Sequence, residues 1–231
     1  EAAYGCPGQY YFGSELVAAP FVTPADPDTR VSRQVVWLPP GSWTDLLTGE
    51  VYGEGWHAVY GGIDAIPVFA RPGAIVPLAA RSGTGDVANP EALEVHVFSG
   101  ADGSLDLYED DDGNSHSVTE FRQWTEGGRM HIRIGAARGE TGHLPARRSY
   151  TLLLRGAGAS SNIAAAVDGV PQACEASYDA NTDALTLSPM EVSPAQEITV
   201  TVQGDSQPMH RDRRVGAERA LLKAFKMNTR V

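Results

Sequence analysis

The densest run of side chains able to hold a metal is Glu109-Asp110-Asp111-Asp112-Gly113-Asn114. Carboxylate and amide oxygens suit hard cations, and Asp110, Asp112 and Asn114 fall at the first, third and fifth places of an EF-hand-like loop. The sixth place is Ser115, where the sharp turn needs Gly. The twelfth is Phe121, where the loop needs a bidentate Glu, and Glu120 falls one residue short. The run therefore reads as a solvated hairpin turn, with opportunistic Ca²⁺ binding as the alternative.

Other chemistry-bearing residues are scattered. His57, His96, His116, His131, His143 and His210 show no metal-ligand spacing to one another or to a Cys. His96 and His131 fall on the polar phase of alternating segments, which predicts exposed faces. Cys6 and Cys174 lie outside any CxxC pattern and read as two buried free thiols. Ser14 lacks the G-x-S-x-G setting of a nucleophile elbow. Gly156-Ala157-Gly158 lacks the third Gly and following helix of a phosphate loop. No residue is assigned a catalytic, cofactor-binding or metal-ligating role.

The elements that carry these residues read as strands. Leu93–Phe98, Leu105–Tyr108, Met130–Ile134 and Glu197–Val202 alternate apolar and polar residues, so one face can be buried while the other meets water. Tyr150–Leu154 is more continuously apolar, as a central strand would be. Asp102-Gly103, Asp112-Gly113, Gly127-Gly128 and Asp168-Gly169 supply turn chemistry between the runs. The expected fold is all-β: two consecutive antiparallel β-sandwich domains followed by a short C-terminal helix or tail. The polar stretch 81–91, with two Gly and one Pro, places the boundary near residue 85. The domains are then 1–84 and 85–204, with a basic tail at 205–231. In the tail, Leu221, Leu222 and Phe225 form a narrow apolar stripe on a helix-compatible segment.

The chain has 231 residues, 42% of them hydrophobic, which is enough to bury real cores. Its net charge of −11 argues against nucleic acid or anionic membrane as a general partner. That charge is divided unevenly: 211–231 carries +5 and the remainder −16. No apolar run reaches the ~18–20 residues of a membrane helix. The start, EAAYGCPGQYY, has neither a signal peptide's charged and apolar regions nor an initiator Met, which fits a start inside a longer polypeptide. Two cysteines outside any motif and the lack of an Asn-x-Ser/Thr sequon lean towards a cytoplasmic protein.

Three ordered blocks carry a family resemblance. They are Gln9–Pro20 (QYYFGSELVAAP), Trp37–Leu78 (with LPPGSW, LTGE and IPVFARPGAIVPL) and Ala101–Gly113 (ADGSLDLYEDDDG). Together they resemble the β-domains that follow the catalytic barrel in glycoside hydrolase family 31, the retaining α-glucosidases and α-xylosidases. Gly142–Leu154 continues the likeness more weakly, and 205–231 matches no part of it.

The resemblance implies a retaining α-glycosidase whose Asp nucleophile and Asp acid/base stand on barrel loops upstream of Glu1. It implies no cofactor. Trp43-Thr44-Asp45 looks at first like the family's nucleophile motif, Trp-x-Asp-Met-Asn-Glu. Leu46, Leu47 and Thr48 follow instead, so Asp45 is expected to be a turn residue beside a packed Trp. The chain itself is then a non-catalytic C-terminal region that supports the barrel, its partner within one polypeptide, while the parent acts on carbohydrate. The apolar segment Phe12–Phe21 is expected to lie on the barrel's flank and, without the barrel, to promote dimerisation. Two alternatives stand beside this: a carbohydrate-binding sandwich using exposed Trp among Trp37, Trp43, Trp56 and Trp124, and an oligomerisation module. Core packing of those Trp residues is the favoured expectation.

Overall fold

The computed structural model describes residues 5–80, 89–113, 115–159 and 162–203. The basic tail, with its apolar stripe and His210, lies outside the described residues, as do most of the polar stretch 81–91 and Asn114. Nearly all regular structure among the described residues is β. One compact unit runs to Arg71 and a second begins at Pro72.

The first unit holds β1 (Tyr10–Phe12), β2 (Leu16–Ala18), β3 (Ser32–Leu38), β4 (Trp43–Asp45), β5 (Val51–Tyr52), β6 (Gly55–Gly61) and β7 (Val68–Ala70). Five of these form an antiparallel sheet in the order β1-β2-β7-β4-β5, and β3 pairs with β6 as a separate ribbon. Alternation in β3 buries Val36 and Leu38. They meet Val17, Trp43, Val59 and Phe69 in one core that draws on both layers. Trp43 is anchored within it by its indole N–H, which donates to the Pro39 carbonyl at 2.9 Å.

The second unit holds β8 (Ile75–Ala79), β9 (Ala92–Phe98), β10 (Gly103–Asp110), β11 (His116–Glu126), β12 (Arg129–Ile134) and β13 (Arg138–Gly139). It continues through β14 (Arg148–Arg155), β15 (Asn162–Val167), β16 (Val170–Gln172), β17 (Ala176–Asp179), β18 (Ala184–Val192) and β19 (Ile198–Gln203). Two sheets face each other, ordered β17-β18-β14-β9-β8 and β10-β11-β12-β19-β15-β16, with β13 added to β11. Val95, Leu152, Leu154 and Leu187 of the first sheet pack against Phe121, Ile132, Ile134 and Val200 of the second.

β14 stands at the centre of its sheet, as its apolar run predicts. Gly127 and Gly128 both take positive φ in a two-residue loop between the paired Glu126 and Arg129, the geometry that type I′ hairpins need.

One expectation is corrected: the boundary near residue 85 moves to Arg71/Pro72, because β8 pairs in full register with β9 and belongs to the second sandwich. The expected all-β fold of antiparallel sheets is what the structure shows, with one parallel pair, β9 and β14. The chain leaves β9, builds β10 to β13 in the opposite sheet, and returns beside β9 in the same direction. Parallel neighbours require a long crossover of this kind.

Candidate functional site

Asp45 ends β4 at 8% exposure. Its Oδ1 accepts from the Leu47 and Thr48 amides at 2.9 and 2.7 Å, closing the turn after the buried Trp43. This is the turn role that the residues after Asp45 predict.

The acidic run divides between two roles. Glu109 points into the second sandwich and takes both Nη1 and Nη2 of Arg148 at 2.7 Å. Asp110 and Asp111 accept from backbone amides inside the turn, and Asp112 adopts a positive φ. Among the described residues no group of three or more His, Cys, Asp or Glu is placed to hold a metal ion.

His96 corrects an expectation. It is buried at 6% exposure rather than exposed, and its Nε2 stands 2.9 Å from Glu94 Oε1. Burial, helped by the Arg155 charge and opposed by Glu94, holds its pKa below the usual imidazole value. His131 is half-buried and stacks on Trp124 with ring centroids 5.1 Å apart. Cys6 is buried, and burial pushes its thiol pKa up. Cys174 is only half-buried, against the expectation of two buried thiols.

One pairing has no signal in the sequence. Ser117 Oγ and His143 Nε2 lie 3.1 Å apart, the contact of a nucleophile with its base. The same Nε2 lies 3.1 Å from the Glu109 carbonyl oxygen, which can only accept. Nε2 therefore carries the proton and cannot take one from Ser117. Ser117 is also fully buried, and the buried Nδ1 has no orienting partner. The geometry is that of a buried brace between β11 and the turn that carries His143.

The remaining candidate feature is a set of exposed apolar residues. All three residues of β1 are exposed: Tyr10 at 54%, Tyr11 at 63% and Phe12 at 64%. Trp56, Tyr60, Ile63 and Ile66 of the same unit are also more than half exposed. Leu16 to Ala19, by contrast, are buried in the unit's own core, so the expectation for Phe12–Phe21 is corrected. The place of β2 between β1 and β7 buries that stretch, and the exposed apolar residues of the unit fall on β1, on β6 and in the connection from β6 to β7. Of the four Trp residues only Trp43 is a core residue. Trp37 and Trp124 are half-buried and Trp56 is 54% exposed.

The described residues thus form two β-rich units, the first with several large apolar residues left exposed. Residues 1–76 match the model of the glycosyl hydrolase family 31 C-terminal domain. Over that stretch the chain matches a C-terminal domain of family 31. It is 30% identical over 164 residues to a 1,6-alpha-glucosyltransferase of Sporosarcina globispora, a stretch covering 66% of this chain and 12% of that protein. It is 29% identical over 140 residues to an alpha-xylosidase of Saccharolobus solfataricus, covering 57% and 18%. In fold it is similar to the family 31 dextranase of Flavobacterium johnsoniae, with a TM-score of 0.69 at 20% identity, over 85% of this chain and 27% of that one. The chain thus spans well under a third of the proteins it matches.

Proposed function

We propose that this chain is the non-catalytic C-terminal support of a retaining α-glycosidase acting on α-linked glucosides or xylosides. A catalytic barrel of the same polypeptide would sit on the aromatic surface of the first unit. The observation that carries this reading is the edge strand β1, where three consecutive aromatic residues stand more than half exposed beside β2, which is buried throughout. Soluble monomers rarely leave large contiguous apolar patches in water, so such a strand calls for a cover. Chemistry in this class needs two carboxyl groups about 5–5.5 Å apart across the scissile bond. The carboxylates described above are engaged in turns and ion pairs, which supports placing the reacting pair on the barrel.

The test is reconstitution. The chain alone should release no product from p-nitrophenyl α-glucoside or α-xyloside. Co-production with the catalytic segment of its own polypeptide should restore a soluble complex and turnover. Phe12→Asp with Tyr11→Asp should abolish complex formation. Turnover by the chain alone, or a complex indifferent to both substitutions, overturns the proposal. Product analysis of the complex would separate hydrolysis from the transfer that the name of the Sporosarcina relative describes.

A further inference from the structure

We propose that the outward face of the β10–β11–β12 ladder is a binding surface for a neutral oligosaccharide, an α-glucan chain. Because Phe121, Gln123 and Ile132 point into the core, strand alternation sends Arg122, Trp124, His131 and Arg133 to the opposite face. Register across β10 brings Tyr108 to the same side.

Two ring stacks stand on this face. Trp124 is stacked with His131 at 5.1 Å and 16°, and the Arg122 guanidinium lies over its ring at 5.3 Å. Tyr108, 58% exposed, is stacked with His116 at 5.5 Å and 22°. Tyr108 pairs with Val118, six residues before Trp124, so the stacks lie ~20 Å apart along β11. That is room for several sugars in a row. β10 is the edge strand of its sheet, and among the described residues His116 is the one ring stacked on Tyr108.

Polar groups between the stacks are already fixed. Arg133 is held by Glu197 at 2.7 Å and by Glu120 at 2.8 Å, so hydroxyls would meet an oriented array without ordering long side chains. Beside Arg122 a recess of about 270 Å³ opens between Asp102, Gly103, Ser104 and Gln123. Around the two stacks Asp106, Asp110, Asp111, Glu120 and Glu197 outnumber Arg122 and Arg133, so the face disfavours an anionic ligand. Aromatic rings with interleaved planar hydrogen-bonding groups suit a pyranose, which offers C–H faces and a rim of hydroxyls.

The inference rests on the family 31 reading only in choosing α-glucans as probes. The full chain is run in native gels containing soluble dextran or soluble starch. Wild type should be retarded by at least one of them. Tyr108→Ala and Trp124→Ala should each lose about tenfold in affinity, while Trp56→Ser keeps wild-type retardation. Tyr108 is exposed enough that its loss does not threaten folding. No retardation by either glucan, or retardation that survives both substitutions, overturns the inference. No catalytic domain is needed, so a negative result here is separate from failed reconstitution.

Discussion

Glu109 and Arg148 form a two-pronged ion pair between the two sheets of the second sandwich, with both contacts at 2.7 Å and side-chain exposures of 6% and 0%. Arg148 Nε also donates to the Pro90 carbonyl at 2.9 Å. Burial disfavours the charged guanidinium, but hydrogen bonding and charge from Glu109 and Tyr150 outweigh it and raise the Arg148 pKa. Fork-on-carboxylate geometry fixes how β10 and β14 sit across the core, which apolar contacts alone leave adjustable.

Removing one partner leaves the other charged and buried. Glu109→Ala or Arg148→Ala is expected to cost about 3–5 kcal/mol in urea unfolding of the second unit. The double substitution, Glu109→Leu with Arg148→Met, exchanges both charges for apolar side chains and is expected to cost far less than the sum of the single changes. Equal and additive losses would show that the pair is not coupled.

At the other end of the sandwich, Gly103 meets Gly73 backbone to backbone. A Cβ at Gly103 would stand 1.8 Å from the Gly73 carbonyl oxygen, a distance no side-chain rotation relieves. Nearby, Gln123 Nε2 donates to the Ala74 and Phe98 carbonyls at 3.1 and 3.0 Å, tying β11 to the facing sheet. Gly103→Ala is expected to lower the melting temperature sharply. Gln123→Leu should cost about 1–3 kcal/mol, the scale of buried hydrogen bonds lost. A Gly103→Ala protein that melts with wild type would contradict the close approach.

The particular residues show what a sequence can tell. Alternation in Met130–Ile134 and Glu197–Val202 marks faces correctly, because inward and outward environments differ sharply in polarity. It carries no strand direction, so the parallel β9–β14 ladder was not legible. Composition at 81–91 reads as a break, yet hydrogen bonding assigns Ile75–Ala79 to the following sheet. Glu109 reads as one more solvated acid in an acidic run, because its partner lies 39 residues away. His96 occupies a polar phase and is buried all the same, since periodicity reports the face of a strand and not what covers it.

His96 gives the second unit a pH dependence. Its folded pKa lies below the unfolded value of about 6.5, so the unfolded chain binds the proton more readily. Stability therefore falls as pH drops through about 6.5, and the loss is complete once pH passes below the folded pKa. His96→Gln keeps a donor towards Glu94 and should flatten this part of the profile. Urea midpoints from about pH 7.5 to about pH 5.5 for both proteins, a range that brackets the unfolded pKa, check the sign. A wild-type midpoint that rises on acidification would refute it.

The first unit separates residues buried in its own core from those left exposed at its surface. Phe69, fully buried on β7, lies in the core with Trp43 and stacks edge-on with Tyr52 at 5.2 Å. Phe69→Ala should cost about 3–5 kcal/mol through lost burial and the cavity it leaves. Phe12 belongs to the same sheet but is 64% exposed, so Phe12→Ser should stay within about 0.5 kcal/mol. The two substitutions should act oppositely on dye binding. Phe12→Ser removes exposed aromatic surface and lowers the signal of a hydrophobic probe such as ANS, whereas Phe69→Ala loosens the core and raises it. If Phe12→Ser instead destabilises the unit as much as Phe69→Ala, then β1 is a structural strand and the surface it presents is not reserved for a neighbouring domain.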